Sequence, residues 1–137
     1  MDELLLDNIT YHEDLLNDIN KIIGRSGQKK RFMQVFLARL QEINNNDVAD
    51  LLKSKNYEVL RHCKDFTCFS ARIKSNQLNC RLLFTIENQK IILCCFDKKS
   101  DSEQTNYSPA IDRAKNRLNE LRESHYKLKM FFKLIGR

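Results

Sequence analysis

A chain of 137 residues and 16.3 kDa has the length of one ordinary domain. Its 42% hydrophobic and 31% charged residues strike a globular balance, and three Gly with one Pro exclude collagen-like, low-complexity and turn-dense all-β chains. The net charge of +6 is unevenly spread: residues 1–23 hold six acids against one base, and residues 113–137 hold eight bases against two acids. A basic body with an acidic head suits a polyanionic partner such as nucleic acid.

The N-terminus is acidic and lacks the basic flank and apolar stretch of a secretory signal. The first six residues, with Leu4-Leu5-Leu6, fit a short strand or the start of a helix. From Thr10 to Ile23, Leu15, Leu16, Ile19, Ile22 and Ile23 recur at helical spacing. Gly24 and Gly27 then supply a C-cap and turn. Phe32, Val35, Phe36, Leu40 and Ile43 predict a second helix over 29–43, stopped by Asn44-Asn45-Asn46-Asp47. A short helical stub over 47–53, with Asp47 as N-cap, is expected next.

The period then changes. Between Phe66 and Lys74, Phe69, Ala71 and Ile73 alternate with Ser70, Arg72 and Lys74. Between Cys80 and Glu87, Cys80, Leu82, Phe84 and Ile86 alternate with Arg81, Leu83, Thr85 and Glu87. Lys90 to Phe96 is apolar on both faces, as in a strand covered from two sides. Short polar loops join these runs into a three-stranded antiparallel meander. Its apolar run is also far shorter than the ~20 residues of a bilayer span.

A polar loop leads to Ser108-Pro109, a helix-opening pair. Beyond it Ile111, Ala114, Leu118, Leu121, His125, Leu128, Phe132 and Ile135 step by 3 and 4 in an unbroken heptad seam. Such a helix outruns a small sheet, so its distal part needs another surface. Within the chain the first helix offers Leu15, Ile19 and Ile22, with Asp14 and Asp18 facing the basic tail. A second copy, a protein partner or an anionic membrane are the alternatives. The expected fold is α+β: two N-terminal helices, a small antiparallel sheet with room for a further N-terminal strand, and a long C-terminal helix, all in one domain over 1–137.

The five cysteines (63, 68, 80, 94 and 95) contain no C-x-x-C, and His12, His62 and His125 are scattered. No metal site is expected, and an odd thiol count fits a reducing cytoplasm. Cys94 and Cys95, as strand neighbours, point to opposite faces. No phosphate loop, dinucleotide fingerprint or nucleophile elbow occurs. What remains is a set of cations. Arg72 and Arg81 lie on the polar faces of neighbouring strands, and Lys98 and Lys99 sit where the third strand ends. Strands ~4.8 Å apart let such side chains converge on one phosphate. On a polar face, Arg81 is expected to matter little to the core.

Five segments meet a known pattern in order: Tyr57-Glu58-Val59-Leu60-Arg61, Ser70-Ala71-Arg72-Ile73, Cys80-Arg81-Leu82-Leu83-Phe84, Phe96-Asp97-Lys98-Lys99-Ser100, and Ala110 to Leu118 with Arg113 and Arg117. Together they resemble the RelE/HigB-like toxins of bacterial type II toxin–antitoxin systems, with their L-x-E-L-R, Y-R-I/L-x-F, F-x-K-K-[ST] and A-x-x-R elements. The resemblance covers 57–118 and leaves 122–137 as a helical extension. It implies a RelE-like fold and a cytoplasmic, ribosome-dependent mRNA endoribonuclease that works without metal or cofactor and is neutralised by a cognate antitoxin protein. Arg72 and Arg81 take the phosphate-binding positions, with Lys98 and Lys99 closing the site. Two departures stand out: Ser70 replaces the usual acid before Arg72, and Cys80 the usual aromatic before Arg81.

The implied chemistry is attack of the RNA 2′-hydroxyl on the adjacent phosphate, which needs a base, an acid and cations for the phosphorane. Lys98 or Lys99 can serve as acid or base where cationic neighbours lower its pKa. Tyr107 can stack on a base or pack as a helix staple, and Lys74 can add a substrate contact. His62 is a further candidate base, and Glu87 reads as a salt-bridge partner. The competing function is that of a ParE-like toxin that binds DNA gyrase without cutting RNA; an inactive basic RNA-binding module is the third.

Overall fold

Residues 69–75 and 78–86 alternate in polarity and 90–96 are apolar on both faces because the three runs form the centre of a sheet, and everything else is arranged around it. The structure is a computed structural model that describes residues 6–61, 63–75, 77–98 and 107–134, with the side chains at 25, 26, 75 and 125–134 left aside. The elements in order are β1 (Ile9–Tyr11), α1 (Leu15–Ser26), α2 (Lys29–Asn45), α3 (Val48–Leu51), β2 (Tyr57–Val59), β3 (Phe69–Ser75), β4 (Leu78–Ile86), β5 (Lys90–Asp97) and α4 (Ser108–Leu134). Among the described residues no helix is long and apolar enough to cross a membrane.

The meander β3-β4-β5 is antiparallel as expected, but the sheet has five strands in the order β1-β5-β4-β3-β2. β2 extends it antiparallel beside β3, and β1 pairs in parallel with β5. Strands of three residues are too short to display a period. The helix expected from Thr10 therefore begins only at Leu15, since residues 9–11 are edge strand. Gly24 lies inside that helix, and Gly27, at φ 65°, ends it in the left-handed conformation that glycine adopts without strain. Asp47 caps α3 as expected, accepting the Asp50 amide at 3.0 Å.

The two faces of the sheet carry separate cores. Leu15, Ile19 and Ile22 of α1 and Phe32, Phe36, Leu40 and Ile43 of α2 bury Ala71, Ile73, Cys80, Leu82 and Phe84. On the other face Ala110, Ala114 and Leu118 of α4 cover Leu83, Leu93 and Cys94. A bulge in β5 makes this possible: Leu83 opposes Cys94 while Phe84 opposes Ile92, so Leu93 is an extra residue. Leu93 and Cys94 both join the α4 core, and Cys95 joins the other, as its neighbour relation predicts. The distal α4 was expected to lean on α1. That stripe of α1 is occupied by the sheet, on the face opposite α4, and is closed to the tail.

The acidic head and basic helix do meet, around the edge of the sheet. β1 covers β5 only as far as Ile92, whose carbonyl receives the His12 amide at 3.1 Å. Beyond it the Leu93 carbonyl accepts from Arg117 Nη1 at 2.9 Å, and the Cys95 amide donates to Asp18 Oδ2 at 3.1 Å. Asp18 and Arg117 join in a bidentate fork at 2.6 and 3.0 Å, both buried. A bare β edge invites intermolecular pairing, and here a buried ion pair satisfies it. His12, also buried, adds a second tie through Nε2 to Glu120 at 3.2 Å.

Candidate active site

Antiparallel pairing sets Arg72 of β3 directly opposite Arg81 of β4, on the α4 face. Directly opposed residues project to the same side, so the two guanidiniums are neighbours. One pair further on, Ser70 opposes Glu58 of β2, which brings a carboxylate to the same face. Position 70 itself lacks an acid, but the strand beside it supplies one.

Tyr107, the last residue before α4, gathers these groups around its hydroxyl. Arg81 Nε donates to it at 3.1 Å, and it donates to Glu58 Oε1 at 2.9 Å. Ser70 Oγ lies 3.3 Å away. A phenol has one hydrogen and two acceptor sites, so with its proton on Glu58 it accepts from Arg81 and Ser70. Burial pushes the Tyr107 phenol above its ordinary value of 10.0, with Glu58 adding to the rise and Ser70 and Arg81 opposing it. The ring stands edge-on to Phe96, their centroids 5.6 Å apart. It thereby acts as both staple and polar hub.

Arg81 is not a solvated strand charge. It is 3% exposed, and its Nη1 donates to Asn79 Oδ1 at 2.8 Å and to the Cys80 carbonyl at 3.0 Å. The expectation that it matters little to the core fails because α4 and Tyr107 lie over this face. Lys98 is equally buried, at 3% exposure, with its ammonium 5.4 Å from the Tyr107 ring centroid. Asn79 links the two, receiving the Lys98 amide at 2.7 Å and donating Nδ2 to the Lys98 carbonyl at 2.6 Å.

Arg72 is half-buried, and its backbone is pinned on both sides. Its amide donates to the Asn56 carbonyl at 2.7 Å, and its carbonyl accepts from Arg39 Nε at 2.7 Å. Lys74 follows on the same face, exposed and opposite Asn79. A recess of about 30 Å³ opens between Lys55, Glu58, Ser70, Arg72 and Arg81. That volume suits a water or an oxygen of a bound phosphate, not a nucleotide, which would lie across the mouth.

Of the seven site residues expected from the sequence, Arg72, Arg81, Lys98 and Tyr107 converge here, Lys74 lies at the margin, and His62 and Lys99 fall outside the described residues. Glu87 is a salt-bridge partner, of Arg122 at 2.7 Å. Sequence reasoning missed Glu58, Lys55 and Asn79. For Glu58 the signal lay in the quoted Tyr57–Arg61 segment, of which it is the one carboxylate. Among the described residues no group of three or more His, Cys, Asp or Glu is placed to hold a metal. No protein-family model, curated protein or solved structure matches this chain, so the functional reading rests on the side chains themselves.

Proposed function

We propose that the protein is a toxin of the RelE/HigB type, an endoribonuclease that arrests translation by cutting mRNA on the ribosome, and that a cognate antitoxin restrains it. One observation carries this reading: the cross-strand pair Arg72 and Arg81 shares a recess with the exposed carboxylate of Glu58, and the Tyr107 hydroxyl connects Arg81 to Glu58. Cations and a base lining one recess, with a proton donor hydrogen-bonded beside it, are the parts that 2′-hydroxyl attack requires.

In this mechanism Glu58 takes the proton of the 2′-hydroxyl as that oxygen bonds to phosphorus. Arg72 contacts the non-bridging phosphate oxygens. Arg81, a buried charge that also orients Tyr107, adds its field to the dianionic phosphorane. The bond from phosphorus to the 5′-oxygen then breaks, and that oxygen takes a proton from Tyr107 or Lys98. The products are a 2′,3′-cyclic phosphate and a 5′-hydroxyl. Residues 113–137, with eight bases, add attraction for the ribosomal RNA around the substrate.

Induced expression in a bacterium, followed by primer extension on abundant mRNAs, tests the proposal. Growth arrest with codon-phased cuts, both lost in Glu58→Gln and rescued by an antitoxin encoded beside the toxin, is the expected result. Intact mRNA with stalled DNA replication would overturn it in favour of a gyrase poison. Harmless accumulation of soluble wild-type protein would overturn both.

A further inference from the structure

The connection between β2 and β3 brings two thiols together. The Leu60 amide donates to the Cys68 carbonyl at 2.9 Å, so the ladder that pairs Glu58 with Ser70 runs one pair further before the chain leaves the sheet. Asp65, at φ 75°, turns the intervening chain back in the left-handed conformation, and it ion-pairs with Lys115 of α4 at 2.7 Å. The fold-back lays Cys63 against the α4 core, where Cys68 is fully buried. There the two thiols hydrogen-bond to each other, and the Cys68 amide donates to the Cys63 sulfur. All five cysteines are free thiols in this structure.

We propose that Cys63 and Cys68 form a peroxide-oxidisable pair, with Cys63 as the attacking sulfur and Cys68 as the resolving one, closing a reversible disulfide at the foot of the β2–β3 connection. Exposure assigns the first role: Cys63 is half-buried and the other four thiols are buried, so Cys63 is the one that a solute meets. Burial raises its thiol above the ordinary value of 9.0, and the two contacts from Cys68 oppose that rise by stabilising the thiolate. Mobility assigns the second role. Cys68 shares its core with Cys94, but Cys94 is fixed in the bulged centre of the sheet. Cys63 lies in a loop, which can shift to bring hydrogen-bonded sulfurs to the ~2.05 Å of a disulfide.

The chemistry balances with hydrogen peroxide as the oxidant. The Cys63 thiolate attacks one peroxide oxygen, the O–O bond breaks, and the released hydroxide takes up the proton that Cys63 lost. Cys63 is then a sulfenic acid. The Cys68 sulfur attacks the Cys63 sulfur, the S–O bond breaks, and the departing hydroxide leaves as water with the Cys68 proton. Two thiols and one peroxide become one disulfide and two waters, and a dithiol reductant reverses the bond by exchange. The pair shares no residue with the candidate active site, so it stands without the cleavage reading.

Thiol counting by mass spectrometry tests the proposal on the full, folded chain. The protein is treated with hydrogen peroxide, then denatured and alkylated. The wild type is expected to lose two of its five thiols and to regain both with dithiothreitol. Trypsin, cutting after Arg61, Lys64 and Arg72, should then release residues 62–64 joined to 65–72 from the oxidised protein alone. Cys63→Ser, a change at a half-buried loop position, should abolish the loss. Cys68→Ala should leave a sulfenic acid at Cys63 that dimedone captures. Five thiols still free after an exposure that fully oxidises a cysteine-containing peptide would overturn the proposal. So would a bond from Cys68 to Cys94, a bond between two chains through Cys63, or a wild-type Cys63 that passes to the sulfinic acid without joining Cys68.

Discussion

Removing Asp18 tests how the acidic head and the basic helix are joined. Asp18→Ala strips one partner from the buried fork with Arg117 and also takes the acceptor from the Cys95 amide. Breaking a buried ion pair from one side costs about 3–5 kcal/mol, because the remaining charge stays desolvated. Against a total stability of about 5–15 kcal/mol for a domain, that is a large share. For a chain of this length it lowers Tm by roughly 10–15 °C. The pair Asp18→Leu with Arg117→Met replaces both charges by apolar volume, and should recover much of the loss while leaving the Cys95 amide unpaired, at about 1–3 kcal/mol. Urea unfolding measures each variant, with an unchanged slope showing that only stability has moved. An Asp18→Ala protein within about 1 kcal/mol of the wild type would refute the idea that this pair seals the β5 edge.

Other outcomes follow from the same packing. Burial pushes the Cys80 and Cys94 thiols up to about 12, and raises Cys68, Cys95, Tyr57 and Tyr107 above their ordinary values. The folded state then holds protons that the unfolded chain releases above about pH 9, so stability is full below that pH and falls above it, by up to about 1.4 kcal/mol per pH unit for each group. Urea midpoints taken between about pH 8 and 11 check this, and Cys80→Ala should flatten the slope. With an alkylating reagent under native conditions only the half-buried Cys63 should react, the four buried thiols following on unfolding. Arg81→Ala should cost about 1–3 kcal/mol, since it leaves Asn79 and Tyr107 short of a donor, which urea unfolding will detect. Glu58→Gln, at an exposed position, should stay within about 0.5 kcal/mol of the wild type yet cut RNA roughly 10²–10⁴-fold more slowly in a ribosome-programmed assay.

The three long strands and their facing were legible because each buries one or both faces over seven or more residues, enough for a period to appear. β1 and β2 were not, since a three-residue strand owes its conformation to its neighbour and not to its own pattern. That Arg72 and Arg81 lie on the polar faces of neighbouring strands followed from alternation, but the register that sets them directly opposite did not. Nor did their different environments. Alternation separates two faces without saying what covers each, and here α4 and Tyr107 bury the polar side around Arg81. Glu58 escaped notice for a related reason. Its role depends on β2 pairing with β3, a contact between residues 58 and 70 that no local pattern reports. The Asp18–Arg117 fork was foreshadowed only as opposite charge at the two ends of the chain.

The central claim is that Glu58, Arg72, Arg81 and Tyr107 act on an RNA 2′-hydroxyl and its adjacent phosphate. The most direct measurement programmes ribosomes with two mRNAs that differ at one atom, the 2′-oxygen of the nucleotide 5′ to the cut. The account predicts that the all-ribose message is cleaved to a 2′,3′-cyclic phosphate and a 5′-hydroxyl, while the 2′-deoxy message stays intact at that position. Cleavage of both messages at the same rate would contradict it.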